Sequence, residues 1–215
     1  MIWIALAYHL ASRLAYVLYV GFTLHRQDRT AYFTKRYGAE AAFWRFRRVA
    51  AVVMANDAVS LGVLCLVSLN TLHLGVPRGL TIAVGAVLAL VGVATKIWAA
   101  ATLGDGYYWH NFFRPADRIA PKAAGPYRWL KNPMYTVGYL PVYGMALAAS
   151  SAFGLVAALF DQIAILTFYH LVEKPHFERW RRPPPPPPPP SEPVVRSAPG
   201  SARPPSLDTA PGQPP

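Results

Sequence analysis

The chain has 215 residues, and its 21 lysines and arginines against 10 aspartates and glutamates give a formal net charge of +11. A soluble protein this basic would be a candidate nucleic-acid binder, but only 14% of the residues are charged while 53% are hydrophobic. This composition argues against a nucleic-acid partner and favours a protein whose partner is the lipid bilayer.

Five apolar segments follow one another along the chain, and a helix needs roughly 20 apolar residues to cross a hydrocarbon core. They are 1–24, 49–74, 80–103, 134–150 and 152–172. The fourth is short, and the fifth follows it so closely that the two are predicted to form a tight helical hairpin. The first lacks a basic start and a small-residue cleavage site, so we predict a retained span and not a signal peptide. The predicted fold class is an all-α integral membrane protein with about five transmembrane helices.

The basic residues of the connections predict the orientation in the membrane, because cytoplasmic loops carry an excess of lysine and arginine. The first connection holds seven basic residues within 25–48, the third holds five within 114–131, and four more lie within 174–182, directly after the fifth span. The second connection holds only Arg78, and the fourth holds none. This alternation predicts an external N-terminus and a cytoplasmic C-terminus. Aromatic residues near the predicted interfaces, such as Trp44, Trp98 and Trp109, fit the aromatic belts of membrane proteins.

The C-terminal segment has a different composition. From 183 to 215, 15 of 33 residues are proline, eight of them consecutive. Such a segment has almost nothing to bury and few backbone donors, so we predict a polyproline II rod that runs into a disordered end. The chain therefore divides into a predicted membrane domain, 1–182, and a proline-rich tail, 183–215.

Ionisable residues inside the apolar segments need partners, because a charge at mid-membrane costs at least about 2.5 kcal/mol on insertion scales. Asp57 lies in the second segment and Asp161 in the fifth. Arg13 and His9 of the first segment, one turn apart, and Lys96 of the third could pair with them. Direct contact with a substrate headgroup is the alternative. The scattered histidines and the single cysteine predict no metal site.

Three polar and aromatic stretches flank the last spans: LGDGYYWHNFF (103–113), GPYRWLKNPMYTVGY (125–139) and HLVEKPHFERW (170–180). Gly104 and Gly106 give backbone freedom at a helix end, where amides can approach a ligand. Asn132 and Pro133 are typical of a helix start, so we predict that Asn132 caps the fourth helix. The positive end of that helix would favour an anionic group.

These stretches resemble the superfamily of phospholipid methyltransferases and isoprenylcysteine carboxyl methyltransferases. The Asn-Pro-Met-Tyr sequence, with Leu-Gly-Asp upstream and Glu-x-Pro after the hairpin, is most similar in form to phosphatidylethanolamine N-methyltransferases. The matching positions in the second and third stretches are Gly125, Pro126, Tyr127, Lys131, Asn132, Pro133, Tyr135, Gly138 and Glu173.

The resemblance implies S-adenosylmethionine as the cofactor and a membrane lipid as the substrate, with methyl transfer to a phospholipid headgroup amine. The predicted cofactor-binding residues are Gly104, Gly106, Tyr127, Lys131, Asn132, Pro133, Tyr135, Gly138 and Glu173. An amine must lose a proton before or during its attack, which makes His110, Glu173 and Asp105 the candidate catalytic residues.

Two alternatives stay open. The acceptor could instead be a carboxylate on an isoprenylcysteine-like or other hydrophobic molecule. The protein could also be a non-catalytic membrane scaffold, because two positions depart from the superfamily pattern: Asn132 replaces a histidine, and Lys174 replaces the second glutamate of a pair.

Overall fold

The computed structural model describes residues 1–104, 109–114 and 124–181, apart from the side chains of Trp180 and Arg181. The regular elements within these ranges are all helical. The α-helices are α1 (Ile2–Thr30), α2 (Tyr32–Tyr37), α3 (Ala39–Val67), α4 (Arg78–Leu103), α5 (His110–Phe113), α6 (Leu140–Ala148), α7 (Ala152–Phe168) and α8 (Lys174–Arg181). Short 3₁₀ turns at Gly125–Arg128 and Val137–Tyr139 and a π-helical turn at Tyr169–Glu173 complete the described structure.

Within the described residues, four helices are long and apolar enough to cross a membrane. They are α1, α3, α4 and the continuous helix Ala152–Arg179, which contains α7, the π turn and most of α8. The all-α membrane fold predicted from the sequence is therefore confirmed. The helices extend beyond the apolar segments, because α1 continues to Thr30 and α3 already begins at Ala39. Much of the basic first connection is therefore helical.

The fourth apolar segment forms a shorter helix than the sequence predicted. The sequence places it at 134–150, but the apolar helix covers only Val137–Ala148. A helix of this length, with its first three residues in a 3₁₀ turn, extends only about 20 Å, well short of a hydrocarbon core of about 30 Å. The helix starts late because residues 133–136 form a turn instead of its first turn.

The predicted hairpin between the last two apolar segments is confirmed. Ser150 takes a left-handed conformation with φ 49° between α6 and α7. Ser151 then caps α7, accepting a hydrogen bond from the Gly154 backbone N–H at 2.7 Å. Its hydroxyl also lies 2.6 Å from the Ser68 hydroxyl, which joins the hairpin to the end of α3. These contacts fix the hairpin against the first half of the chain.

Helices α4 and α6 approach each other at glycines. A Cβ atom added at Gly85 would lie 2.5 Å from the Gly144 carbonyl oxygen, and one added at Gly92 would overlap the ring of Pro141. Small residues allow membrane helices to pack this closely, because dispersion contacts rather than hydrophobic burial drive their association. The crossing point is therefore set by these glycines.

We expect Gly85→Ala to lower the stability of the protein in detergent micelles, because the added methyl group must push α6 away from α4. Overpacking of this kind typically costs about 1–3 kcal/mol. Gly62→Ala is the matched control, since a Cβ added there would meet no described atom of another helix within 4 Å. Thermal unfolding of the two variants checks this expectation, and equal melting temperatures would contradict it.

A buried ionic cluster joins α1, α3 and α7. The Arg13 guanidinium lies 2.7 Å from a carboxylate oxygen of Asp57 and 2.7 Å from one of Asp161. His9 contacts Asp161 through Nε2 at 3.2 Å and the Ser60 hydroxyl through Nδ1 at 2.8 Å. All five of these residues are at most 6% exposed. The predicted pairing of Arg13 and His9 with the two aspartates is confirmed.

Lys96, the third basic residue predicted as a partner, lies elsewhere. Its methylene stem packs on Gly138, and its Nζ lies 5.6 Å from the centre of the Tyr139 ring. The ligand atoms of His9, Asp57 and Asp161 lie within 4.8 Å of one another, close enough to hold a metal ion. Arg13 already contacts both carboxylates, however, and supplies the positive charge that the pair needs.

Candidate active site

The candidate site is centred on the Glu173 carboxylate. Glu173 is the last residue of the π turn, and it is only 7% exposed. Its Oε1 accepts a hydrogen bond from the Trp109 indole N–H and another from the Tyr135 hydroxyl, the latter at 2.9 Å. One residue from each of the three polar stretches of the sequence therefore meets at a single carboxylate oxygen.

The π turn explains how Glu173 comes to be buried. The Lys174 backbone N–H donates to the carbonyl of Tyr169, five residues earlier, instead of four as in an α-helix. Pro175 follows at once, and a proline inside a helix lacks an N–H donor and clashes with the carbonyl four residues before it. The wider turn relieves this conflict and adds one residue. Such π turns occur frequently at functional sites.

Lys174, the position that departs from the superfamily pattern, is exposed. Its Nζ lies 3.8 Å from the carboxylate of Glu178, one turn further along α8. The Glu173 carboxylate is buried on the same helix, with its partners on two other segments. The lysine therefore leaves the hydrogen bonds of Glu173 in place.

Trp109 has a larger role than the sequence predicted. Its backbone is left-handed, with φ 62°, immediately before α5. Its ring packs edge-on against Phe46 at 5.6 Å and Phe168 at 6.2 Å, measured between ring centres. We predicted an interface aromatic, and the half-buried indole also packs against the core cluster and binds Glu173. A buried indole usually finds an acceptor for its N–H, but the sequence does not indicate which one.

The Asn-Pro-Met-Tyr segment forms a turn and not a helix start. The Asn132 side-chain oxygen accepts from the Tyr135 backbone N–H at 3.1 Å, and the Gly138 N–H donates to the Pro133 carbonyl at 2.7 Å. The expectation that Asn132 caps the fourth helix is wrong, since α6 begins at Leu140. The short-range capping bond forms as predicted, but it closes a local turn. No helix end then favours an anion at Asn132.

The Gly-Pro-Tyr turn lies directly on α4. Gly125 has φ +54°, and an added Cβ would overlap the Thr102 hydroxyl and lie 3.1 Å from the Trp98 indole nitrogen. This close approach brings Tyr127 near Glu173. Burial raises the pKa of the Tyr127 phenol above its ordinary value, and the negative charge of Glu173 adds to the shift. The phenol therefore stays protonated at neutral pH.

The other predicted site residues lie at different places around this centre. His110 follows Trp109, packs edge-on against Phe43 at 5.2 Å, and buries an Nδ1 atom that has no hydrogen-bond partner among the described residues. Gly104 ends α4 with φ +54°, and no atom of the described residues, apart from its neighbours along the chain, lies within 4 Å of a Cβ added there. Pro133 and Gly138 are buried, whereas Lys131 is exposed. Asp105 and Gly106 lie outside the described residues.

A second polar cluster, not predicted from the sequence, holds the site together. Asp28 near the end of α1 binds Arg179 and lies 2.7 Å from His176 Nδ1. The His176 ring stacks on Phe112 with 3.7 Å between ring centres, and the Gln27 side chain donates to the Phe112 carbonyl at 3.2 Å. The end of α1 thus fixes α5, which follows Trp109, and α8, which follows Glu173.

The comparisons with known proteins point to one class. Residues 80–180 match the family model of phospholipid methyltransferases. Similar curated proteins include the phosphatidylethanolamine N-methyltransferases of Clavispora lusitaniae (32% identical over 62% of this chain), Candida tropicalis (33% over 44%) and Debaryomyces hansenii (27% over 69%). The matched region covers 17%, 11% and 18% of those proteins, respectively. No solved structure matches.

Residues 80–180 are therefore similar to phospholipid methyltransferases, and they lie in a chain with four helices long and apolar enough to cross a membrane among its described residues. This confirms the resemblance found in the sequence. The matched region contains all of the described site around Glu173, including Trp109 and Tyr135. Helices α1 and α3, which supply most of the buried ionic cluster, precede the matched region.

Proposed function

We propose that this protein is an S-adenosylmethionine-dependent methyltransferase that N-methylates the headgroup amine of a phospholipid of the phosphatidylethanolamine type. The observation that carries the proposal is the buried Glu173 carboxylate, bound by Trp109 and Tyr135 inside the matched region. The names of the similar fungal proteins support the acceptor.

The residues of the site fit the cofactor chemically. S-adenosylmethionine carries a sulfonium cation, an α-amino group and ribose hydroxyls, and each of these favours a carboxylate or an aromatic face. Both described hydrogen bonds to Glu173 go to Oε1, so Oε2 keeps its acceptor capacity. The rings of Tyr127, Tyr135 and Trp109 can attract a cation, an interaction worth about 0.5–2 kcal/mol. Among the described residues, none beyond its neighbours along the chain would contact a Cβ added at Gly104, which supports an approach of the cofactor to this backbone.

When bound, the cofactor supplies an electrophilic methyl group, and the protein must align the acceptor and exclude water. Alignment is the main contribution, because a displacement at carbon needs the reacting atoms in line at about 3–3.5 Å. An ammonium headgroup must also lose a proton from its nitrogen. The buried Nδ1 of His110 and the Glu173 carboxylate are the acceptors we propose for that proton, and Asp105 remains a third candidate.

We further propose that the site faces the cytoplasm, where S-adenosylmethionine is made. The basic residues of 25–48 and 114–131 and those after the last span support this orientation, with the N-terminus outside. These residues also suit contact with anionic lipid headgroups.

Purified protein in nanodiscs that contain phosphatidylethanolamine tests the function. With methyl-labelled S-adenosylmethionine, we expect label that is stable to base and moves with mono-, di- or trimethylated lipid. Base-labile label would instead select methylation of a carboxylate. Absence of both label and calorimetric cofactor binding would favour the scaffold.

A further inference from the structure

A small cavity beside the candidate site lies on one face of α3. Its volume is about 130 Å³, and Arg47, Ala50, Ala51, Met54 and Trp109 line it. The four α3 residues are spaced i, i+3, i+4 and i+7, so they form a single stripe along the helix. We call this cavity the α3 groove.

The α3 groove opens at the surface of the described structure. Ala51 and Met54 are exposed in the described structure, and α3 is one of the helices able to cross the membrane. Pockets for drug-sized ligands typically have volumes of about 300–1,000 Å³. The α3 groove is smaller, which suits a headgroup whose acyl chains remain in the bilayer.

Two residues that line the groove, Arg47 and Trp109, differ in chemistry. Arg47 places a guanidinium at the edge, with its Cζ 5.1 Å from the centre of the Trp44 ring. Arginine binds phosphate through two parallel hydrogen bonds, which makes it a preferred phosphate ligand. Trp109 supplies an aromatic wall, and the N–H of the same indole binds the Glu173 carboxylate. An aromatic face next to a carboxylate attracts an ammonium group.

We propose that the α3 groove binds the headgroup of the acceptor phospholipid, with Arg47 holding its phosphodiester while its amine lies toward Trp109 and Glu173. This inference rests on the proposed function and adds a specificity-determining residue outside the matched region. A zwitterionic phospholipid carries the complementary charges, with phosphate and ammonium joined by two carbons. Ala50, Ala51 and Met54 form the apolar wall beside its glycerol end.

The experiment compares Arg47→Gln with Arg48→Gln in maltoside micelles, whose detergent carries no phosphate, at varied mole fractions of phosphatidylethanolamine. Both variants lose one charge at neighbouring exposed positions of α3, so a general electrostatic effect would be equal in the two. We expect Arg47→Gln to raise the apparent KM for lipid about tenfold, as for a lost charge-assisted hydrogen bond. Arg48→Gln should leave it unchanged, and the Kd of S-adenosylmethionine should stay constant in both. Arg47→Lys keeps the positive charge but lacks the planar guanidinium, so its apparent KM for lipid should lie between those of the wild type and Arg47→Gln.

Photo-crosslinking provides a readout that needs no turnover. Phosphatidylethanolamine with a photoreactive group on an acyl chain close to the glycerol, which leaves its phosphate and ammonium intact, should label the wild-type protein about tenfold more than Arg47→Gln. If the wild-type protein is labelled in this way but transfers no methyl group, the proposed function fails while the lipid site stands. Equal KM values and equal labelling for Arg47→Gln and Arg48→Gln would overturn the proposal.

Discussion

Calorimetry is expected to show that Glu173→Ala weakens S-adenosylmethionine binding by about two orders of magnitude, as the loss of hydrogen bonds to a charged group predicts. The variant removes the buried acceptor and leaves two donors, the Trp109 indole and the Tyr135 hydroxyl, without their shared oxygen. Methyl transfer should fall at least as much as binding. Glu173→Gln keeps an oxygen for these donors but loses the charge, so it should weaken cofactor binding less than Glu173→Ala does.

Glu178→Gln is the matched control for this prediction. It removes one carboxylate from the same helix at an exposed position, where the partner is the surface residue Lys174. Cofactor affinity should be unchanged in this control, and thermal unfolding should show that all the variants are folded. If a folded Glu173→Ala protein bound the cofactor as tightly as wild type, the assignment of Glu173 to the cofactor site would be wrong.

The second large effect is expected at Arg13, far from Glu173 in the sequence. Arg13→Met leaves Asp57 and Asp161 buried without their common cation. Breaking a buried ion pair by removing one partner typically destabilises a protein by about 3–5 kcal/mol. Because the cluster joins α1, α3 and α7, the loss should affect the whole bundle. Melting temperatures in detergent micelles measure it.

A rescue variant separates the charge effect from simple loss of packing. Adding Asp57→Asn and Asp161→Asn to Arg13→Met removes the uncompensated carboxylates, and most of the lost stability should return. Arg29→Met serves as the control, because Arg29 is an exposed residue near the end of the same helix. A melting temperature for Arg13→Met equal to that of Arg29→Met would show that the cluster does not stabilise the fold.

The sequence alone predicted the features that depend on composition and short spacing. Runs of apolar residues identified α1, α3, α4 and α7, because a membrane helix must satisfy its backbone internally and cover itself with apolar side chains. The cost of burying Asp57 and Asp161 pointed correctly to Arg13 and His9. Asn132 was recognised as a capping residue because it directly precedes Pro133, although the element it caps is a turn.

The features that the sequence did not predict are of two kinds. Some depend on contacts between residues far apart in the sequence, and others depend on whether a helical segment is α, 3₁₀ or π. Trp109 and Glu173 are 64 residues apart, and Asp28 and His176 are 148 apart. No spacing pattern in the sequence indicates that the two residues of either pair are in contact. Pro175 indicated a disturbed helix, but only the structure shows that a π turn absorbs it. The short α6 was unclear in the sequence because its apolar composition continues through the preceding turn.

Lipid mass spectrometry of cells with and without the protein tests the central claim most directly. Cells that make the wild-type protein should accumulate mono-, di- or trimethylated phosphatidylethanolamine, while cells that make Glu173→Ala at the same level should match cells without the protein. Identical lipid profiles in all three, with wild-type protein folded in the membrane, would contradict phospholipid N-methylation.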